Sequence, residues 1–294
     1  MSTTYSEIAQ FNQDYYDLDS TDLFYQKVSG GEHLHIGLFQ QEDEPSEIAK
    51  ERTIESMASL VEINSNSRVL DLGSGYGGTA RFLVKKYGCH VTCLNISKKQ
   101  NFINQKRNQE QKLSDFIDIF EGSFEELPTP DSSFDIVWSQ DAIFHSNNLV
   151  RVFQEVKRTL VDGGHFIFSV ITSNDNISEE QRQLKDFYST ITKFYPLKDY
   201  INLASQLGLL EIKIIDYSHN IKINYSRLLS KMQEIQKEEG NVWGKDFFEK
   251  MNHRLNSWIE AGEQEKIKWG FFLFQKQLLN MKDTVNYSNE ENIL

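Results

Sequence analysis

Apolar and polar positions along the chain follow two alternating rhythms. "RVLDL" (68–72) is an apolar run that carries one acid, Asp71, near its end, which predicts a buried parallel strand. Residues 78–87 carry helical spacing, and Gly88 supplies a C-terminal stop. "HVTCLN" (90–95) reads as a second strand, a polar helix follows over about 97–112, and "FIDIF" (116–120) and "FDIVWS" (134–139) are third and fourth strands. "NNLVRVFQEVKRTL" (147–160) is amphipathic, "DGG" at 162–164 closes it, and "HFIFSVIT" (165–172) is a fifth strand. The last third differs: a helix to Gly208, the strand "LLEIKIIDY", two helices over about 222–262, and a final strand in "KIKWGFFLFQKQ" (266–277). Ahead of this alternation, 46–62 is a helix with Ser46 as its expected N-cap. Strands alternating with helices predict an α/β fold, a doubly wound, seven-stranded, mostly parallel sheet.

This pattern divides the chain into an N-terminal helical lid (1–65), a ligand-binding core (66–172), a C-terminal half of the sheet (173–281) with a helical cap at about 222–262, and a polar tail (282–294). Composition narrows the function classes. A net charge of −12 without a long basic run argues against nucleic acid and anionic membranes as partners. No apolar stretch approaches a membrane span of about 18 residues. The N-terminus has no signal-peptide pattern, so cytoplasm is the expected compartment. The two cysteines, Cys89 and Cys93, fit buried thiols and give no basis for a metal site.

Candidate chemistry begins where the first strand ends. "VLDLGSGYGG" places Gly73, Gly75, Gly77 and Gly78 between strand and helix, and 73, 75 and 78 satisfy G-x-G-x-x-G. That motif alone also fits a dinucleotide site. Two features argue otherwise. Asp71 sits where it would repel a pyrophosphate but suit a cationic ligand, and the second strand ends in Asn95 instead of an acid for the ribose.

"DLGSGYG" resembles the D-x-G-x-G-x-G signature of class I S-adenosylmethionine (SAM) methyltransferases, which have a Rossmann-like fold. The resemblance implies SAM as cofactor and S-adenosylhomocysteine as product. It implies that Asp71, Gly73, Gly75 and Gly77 surround the methionyl part and that Asn95 holds the ribose. "EGSFEELP" resembles the adenine segment, implicating Gly122, Ser123 and Phe124. Gln140 and Asp141 in "WSQDAIFHS", and His35 of the lid, join the expected cofactor set, with Gly37 beside His35; one of His33 and His35 is expected to be merely solvated.

"DYYDLDSTDLFYQKVSGGEHLHIGLF" (14–39), "WSQDAIFHS" and "KWGFFLFQK" resemble the sarcosine/dimethylglycine N-methyltransferases of glycine betaine synthesis, and also the phosphoethanolamine N-methyltransferases. Ser29 stands where the betaine family often has Trp. Sulfonium and methylated ammonium groups favour aromatic faces, for which Tyr15, Tyr16, Tyr25 and Phe144 are candidates. His145 is the expected proton acceptor, with Tyr16, or alternatively Tyr15, as the paired lid tyrosine and Tyr25 beside it. Lys193, Tyr195 and Arg254 are candidate carboxylate anchors, and Tyr15 a further substrate contact. "VITSNDN" lacks a tyrosine that the phosphoethanolamine family tends to place there, which favours sarcosine or dimethylglycine as acceptor. Alternatives are phosphoethanolamine or another small amine, or a SAM-binding regulator without catalysis. A homodimer is compatible with the sequence, which does not fix the oligomeric state.

A lid that excludes water supports methyl transfer. Residues 11–39 are therefore expected to be cut more slowly by protease when S-adenosylhomocysteine is present. Equal cleavage with and without it would remove the lid from the mechanism.

Overall fold

The computed structural model describes residues 5–146, 148–175 and 194–278. Seven strands form one sheet: β1 (Arg68–Leu72), β2 (His90–Asn95), β3 (Ile117–Glu121), β4 (Phe134–Gln140), β5 (Leu160–Ser173), β6 (Leu209–Asp216) and β7 (Ile267–Lys276). Their order is β3-β2-β1-β4-β5-β7-β6. The first five are parallel, and β7 runs antiparallel to both neighbours. The expected α/β class and strand number are met. Strand order reverses between β1 and β4, so a crevice opens beyond their carboxyl ends.

The helices are α1 (Glu7–Asp17), α2 (Asp19–Val28), α3 (Ser46–Ala58), α4 (Gly78–Tyr87), α5 (Lys98–Glu110), α6 (Leu149–Thr159), α7 (Leu197–Gln206), α8 (His219–Glu239) and α9 (Lys245–Glu263). Two local expectations are corrected. Ser46 is not an N-cap: Pro45 holds that place, Ser46 begins the helix, and no side chain caps it. Asp162–Gly164 does not end α6 as a loop but lies within β5, which starts at Leu160. The extra residues there are absorbed by a register shift against β4 between Phe134 and Ile136.

The sheet core is aromatic at its C-terminal half. Phe168 stacks on Phe272 at 4.8 Å, with Phe166, Phe153 and Tyr200 around it. A second apolar cluster joins Phe24 and Val28 of α2 to Leu228, Met232, Met251 and Leu255 of α8 and α9. Lid and cap thus share a core of their own above the sheet.

Polar contacts fasten the lid to the sheet's edge. Glu32 pairs with the buried Arg81 at 2.6 Å and with Arg107 at 3.0 Å. The Tyr76 hydroxyl donates to Asp22 at 2.5 Å. Asp17 accepts from the Ser97 hydroxyl and from the Lys99 backbone at the start of α5, where a carboxylate is favoured by the helix dipole. Lys50 is fully buried and donates to the carbonyls of Ser29 and His33 and to the Ser29 hydroxyl. Burial pushes its pKa down to about 8.

The glycine turn owes much of its composition to the chain itself. A methyl on Gly77 would lie 2.0 Å from Asn104 Oδ1, one on Gly78 2.3 Å from the Glu32 carbonyl, and one on Gly73 2.3 Å from the Ala142 methyl. Helix α5, the lid and the turn after β4 all press on this backbone. Gly77 is also left-handed, at φ 77°. Gly77→Ala is therefore expected to cost about 2–4 kcal/mol, read from the urea midpoint. Gly88→Ala, in the same left-handed conformation (φ 71°, ψ 13°) but with no neighbour nearer than 3.6 Å, should cost only about 1 kcal/mol. Equal losses would mean that backbone strain alone, not packing, requires glycine at 77.

Candidate active site

A cavity lies over the carboxyl ends of β1, β2 and β4, closed by the lid and by α8 and α9. At one end Gly73, Gly75, Asn95, Gln100, Gly122, Ser123 and Phe124 form the wall. Asn95 Nδ2 donates to Gln100 Oε1 at 2.9 Å, which leaves Gln100 Nε2 without a partner. An amide pair of this kind offers both donor and acceptor, the requirement of a sugar diol. Gln100 was not singled out by the sequence; its place in the first turn of α5, five residues beyond Asn95, was the available signal.

The middle of the cavity is lined by His35, Gln140 and Asp141. Gln140 Oε1 accepts from Thr79 at 2.7 Å and from the Trp138 indole at 3.0 Å, while its Nε2 is unpartnered. His35 is hydrogen-bonded through Nδ1 to the Ile36 carbonyl at 3.1 Å, and its Nε2 is unpartnered. Burial holds His35 well below its ordinary pKa, so the ring is neutral and Nε2 is an acceptor. Both His33 and His35 are buried, so the expected solvated histidine is corrected; His33 packs over Gly78. Asp141 accepts from the Ile36 N–H at 2.8 Å, the Ser169 hydroxyl at 2.8 Å and the Trp269 indole at 2.7 Å. Burial raises its pKa against these three donors. Its carboxylate is spent on holding the lid.

At the far end lie Tyr16, Tyr25, Phe144, His145, Tyr225, Arg254 and Trp258. The Tyr16 hydroxyl and His145 Nε2 share a hydrogen bond of 3.1 Å. Tyr25 stacks on Tyr16 at 6.0 Å, and Phe144 lies 4.3 Å from the His145 ring. His145 ends a short 3-10 turn (Ile143–His145) whose carbonyl is held by Asn12 of α1 at 3.1 Å. Burial, reinforced by the Arg254 charge, pushes the His145 pKa down to about 3. Burial also pushes Tyr16 up to about 12. His145 is the proton acceptor expected from the sequence, but with its pKa depressed in this way the ring is neutral at physiological pH and is a poor store for a proton.

Several expected site residues do not line the cavity. Asp71 is buried beneath the turn, opposite Cys93 of β2, with Oδ2 unpartnered, and burial raises its pKa to about 7. Gly77 packs on α5, and Gly37 packs on Ala49. Tyr15 lies behind the cavity wall, with its hydroxyl on Arg254. Tyr195 packs at the edge of the sheet core beside Tyr200. Lys193, Asn176 of "VITSNDN" and the tail 282–294 lie outside the described residues.

Residues 70–168 match the model of the methyltransferase domain family. The chain is 37% identical over 270 residues to the sarcosine/dimethylglycine N-methyltransferase of Aphanothece halophytica, covering 92% of this chain and 98% of that one. It is 36% identical to the enzyme of that name from Halorhodospira halochloris, over 94% and 100% of the two chains. A crystal structure described as a sarcosine dimethylglycine methyltransferase from Galdieria sulphuraria superposes with a TM-score of 0.84 at 35% identity, covering 90% of this chain and 99% of that one. Glycine turn, cavity and cap thus occur together in a chain matched to these relatives along nearly its whole length, and the chain belongs to the sarcosine/dimethylglycine N-methyltransferase family.

Proposed function

We propose that the chain transfers methyl groups from SAM to the nitrogen of sarcosine and dimethylglycine. The observation that carries this reading is the position of Arg254. It lines the same aromatic end of the cavity as the Tyr16–His145 pair, and its charge is felt by both, adding to the depression at His145 and opposing the rise at Tyr16. A zwitterionic amine needs that arrangement: a cation for its carboxylate and aromatic faces for its methylated nitrogen. Among the described residues, the cavity wall offers Arg254 and no other lysine or arginine, which suits a carboxylate better than a phosphate dianion.

SAM supplies an electrophilic methyl group on a sulfonium. For this cofactor, Asn95 and Gln100 fit the ribose hydroxyls, Gly122, Ser123 and Phe124 the adenine, Gln140 Nε2 the methionyl carboxylate, and neutral His35 Nε2 the methionyl ammonium. With the His145 proton on Nδ1, Nε2 accepts from Tyr16, and the phenolic oxygen is left to accept from the N–H of sarcosine, whereas the free amine of dimethylglycine has no N–H and is placed by the surrounding aromatic faces. Tyr16 and His145 in this reading orient the amine lone pair, while the rings around them exclude water.

In an acceptor panel with labelled SAM, sarcosine and dimethylglycine should be labelled and phosphoethanolamine should not; labelling of phosphoethanolamine alone would overturn the assignment. Tyr16→Phe and His145→Ala are expected to lower kcat about 100-fold while leaving SAM affinity, measured by calorimetry, unchanged. A regulator without catalysis would show no turnover to lose.

The pH profile follows from the His145 pKa of about 3, depressed from an ordinary 6.5. The ring does not change charge between pH 5 and 8, so kcat/KM should rise with pH as free amine accumulates, with no inflection near 6.5. An inflection there that disappears in His145→Gln would assign the proton to His145. For stability the sign is opposite to that of a salt-bridged histidine. Below about 6.5 the unfolded chain takes up a proton that the folded one refuses, so His145 lowers stability as pH falls from 6.5 towards 3.

A further inference from the structure

Tyr15 and Arg254 come from opposite ends of the chain and meet behind the cavity wall. Tyr15 belongs to lid helix α1 and is buried. Arg254 belongs to cap helix α9, on the face that also presents Met251, Leu255 and Trp258 to the cavity. Arg254 Nη1 donates to the Tyr15 hydroxyl at 2.9 Å, and the guanidinium carbon lies 5.7 Å from the centre of the same ring. One tyrosine thus makes both a directional and a cation–π contact to the guanidinium. Tyr15 is itself packed edge-on against Tyr16 at 5.1 Å. The residue that steers Arg254 is therefore covalently and sterically tied to the residue that faces the amine.

We propose that Tyr15 is a positioning residue for the acceptor carboxylate: it touches no substrate and acts by fixing the Arg254 guanidinium when the lid is docked on the cap. This rests on the reading of Arg254 as the carboxylate anchor. Adjacent tyrosines then divide the work. Tyr16 faces the amine beside His145, and Tyr15 sets the opposite end of the same molecule through arginine. Recognition of the carboxylate becomes conditional on α1 being in place, so an amine bound under an open lid is held only weakly at its acidic end.

The test is Tyr15→Phe, which keeps the ring and removes only the hydroxyl. Its KM for dimethylglycine is expected to rise about 10-fold, as for loss of a hydrogen bond to a charged group, with kcat changed less than about 2-fold. Calorimetric affinity for SAM should be unchanged. With N,N-dimethylethanolamine, which has the amine but no carboxylate, Tyr15→Phe should behave as the parent does. In an Arg254→Lys background, Tyr15→Phe should add nothing to the KM for dimethylglycine. An equal KM increase with both acceptors, or the full 10-fold increase on top of Arg254→Lys, would overturn the proposal. Failure of the underlying reading is distinguishable: Arg254→Lys and Arg254→Ala would then leave the KM for dimethylglycine unaltered.

Discussion

The carboxylate of Asp141 is the contact on which the rest of the site depends. It sits at the end of β4 with a left-handed backbone, φ 49°, and gathers donors from the lid, from β5 and from β7. A carboxylate in a buried position is costly unless its oxygens are satisfied. Here all three donors come from elements that must converge for the cavity to exist. Removing any one would leave a buried charge under-bonded, so the lid is held down by a penalty on opening as much as by attraction. Contacts between α2 and the cap, and between Glu32 and Arg81, then fix its angle.

Much of the fold was legible because its signals are local. Apolar runs marked the five parallel strands, and Gly88 and Gly208 marked where helices stop. Gly163 and Gly164 differ from the sequence expectation because a glycine pair has the same local signature in a turn and in a strand; only pairing with β4 and β7 decides between them. Of the glycines of 73–78, Gly73 and Gly75 line the cavity, and their spacing gives no hint that Ala142, Asn104 and Glu32 are what crowd Gly73, Gly77 and Gly78. Gly75, which lines the cavity together with Gly73, meets no more than ordinary contact, with Leu34 at 3.5 Å.

Side-chain roles were less legible, since they depend on environment. Nothing in the sequence distinguishes Lys50 from a surface lysine, although the fold buries it among backbone carbonyls. His145 was located by its position after β4, but its proton affinity is set by burial and by Arg254, more than a hundred residues away. Tyr15 and Tyr16 are neighbours in one helix and cannot be ranked by type. One turns to His145 and the other to Arg254, a difference made entirely by the rotation of α1 against the sheet.

The pairs that build the cavity are far apart along the chain: Phe39 meets Asn220, Asn12 meets the carbonyl of His145, and Tyr15 meets Arg254 at a separation of 239 residues. Closing such loops costs entropy before any contact repays it, so the cavity has a high contact order even though each βα unit is local. During synthesis the glycine turn and the early strands emerge long before α9 is available. The acceptor end of the cavity therefore cannot be complete before α9 and β7 have emerged, since Arg254 belongs to α9 and Trp269, a donor to Asp141, to β7. A chain cut short before α9 would lack both the Arg254 side chain and the strand that joins β5 to β6.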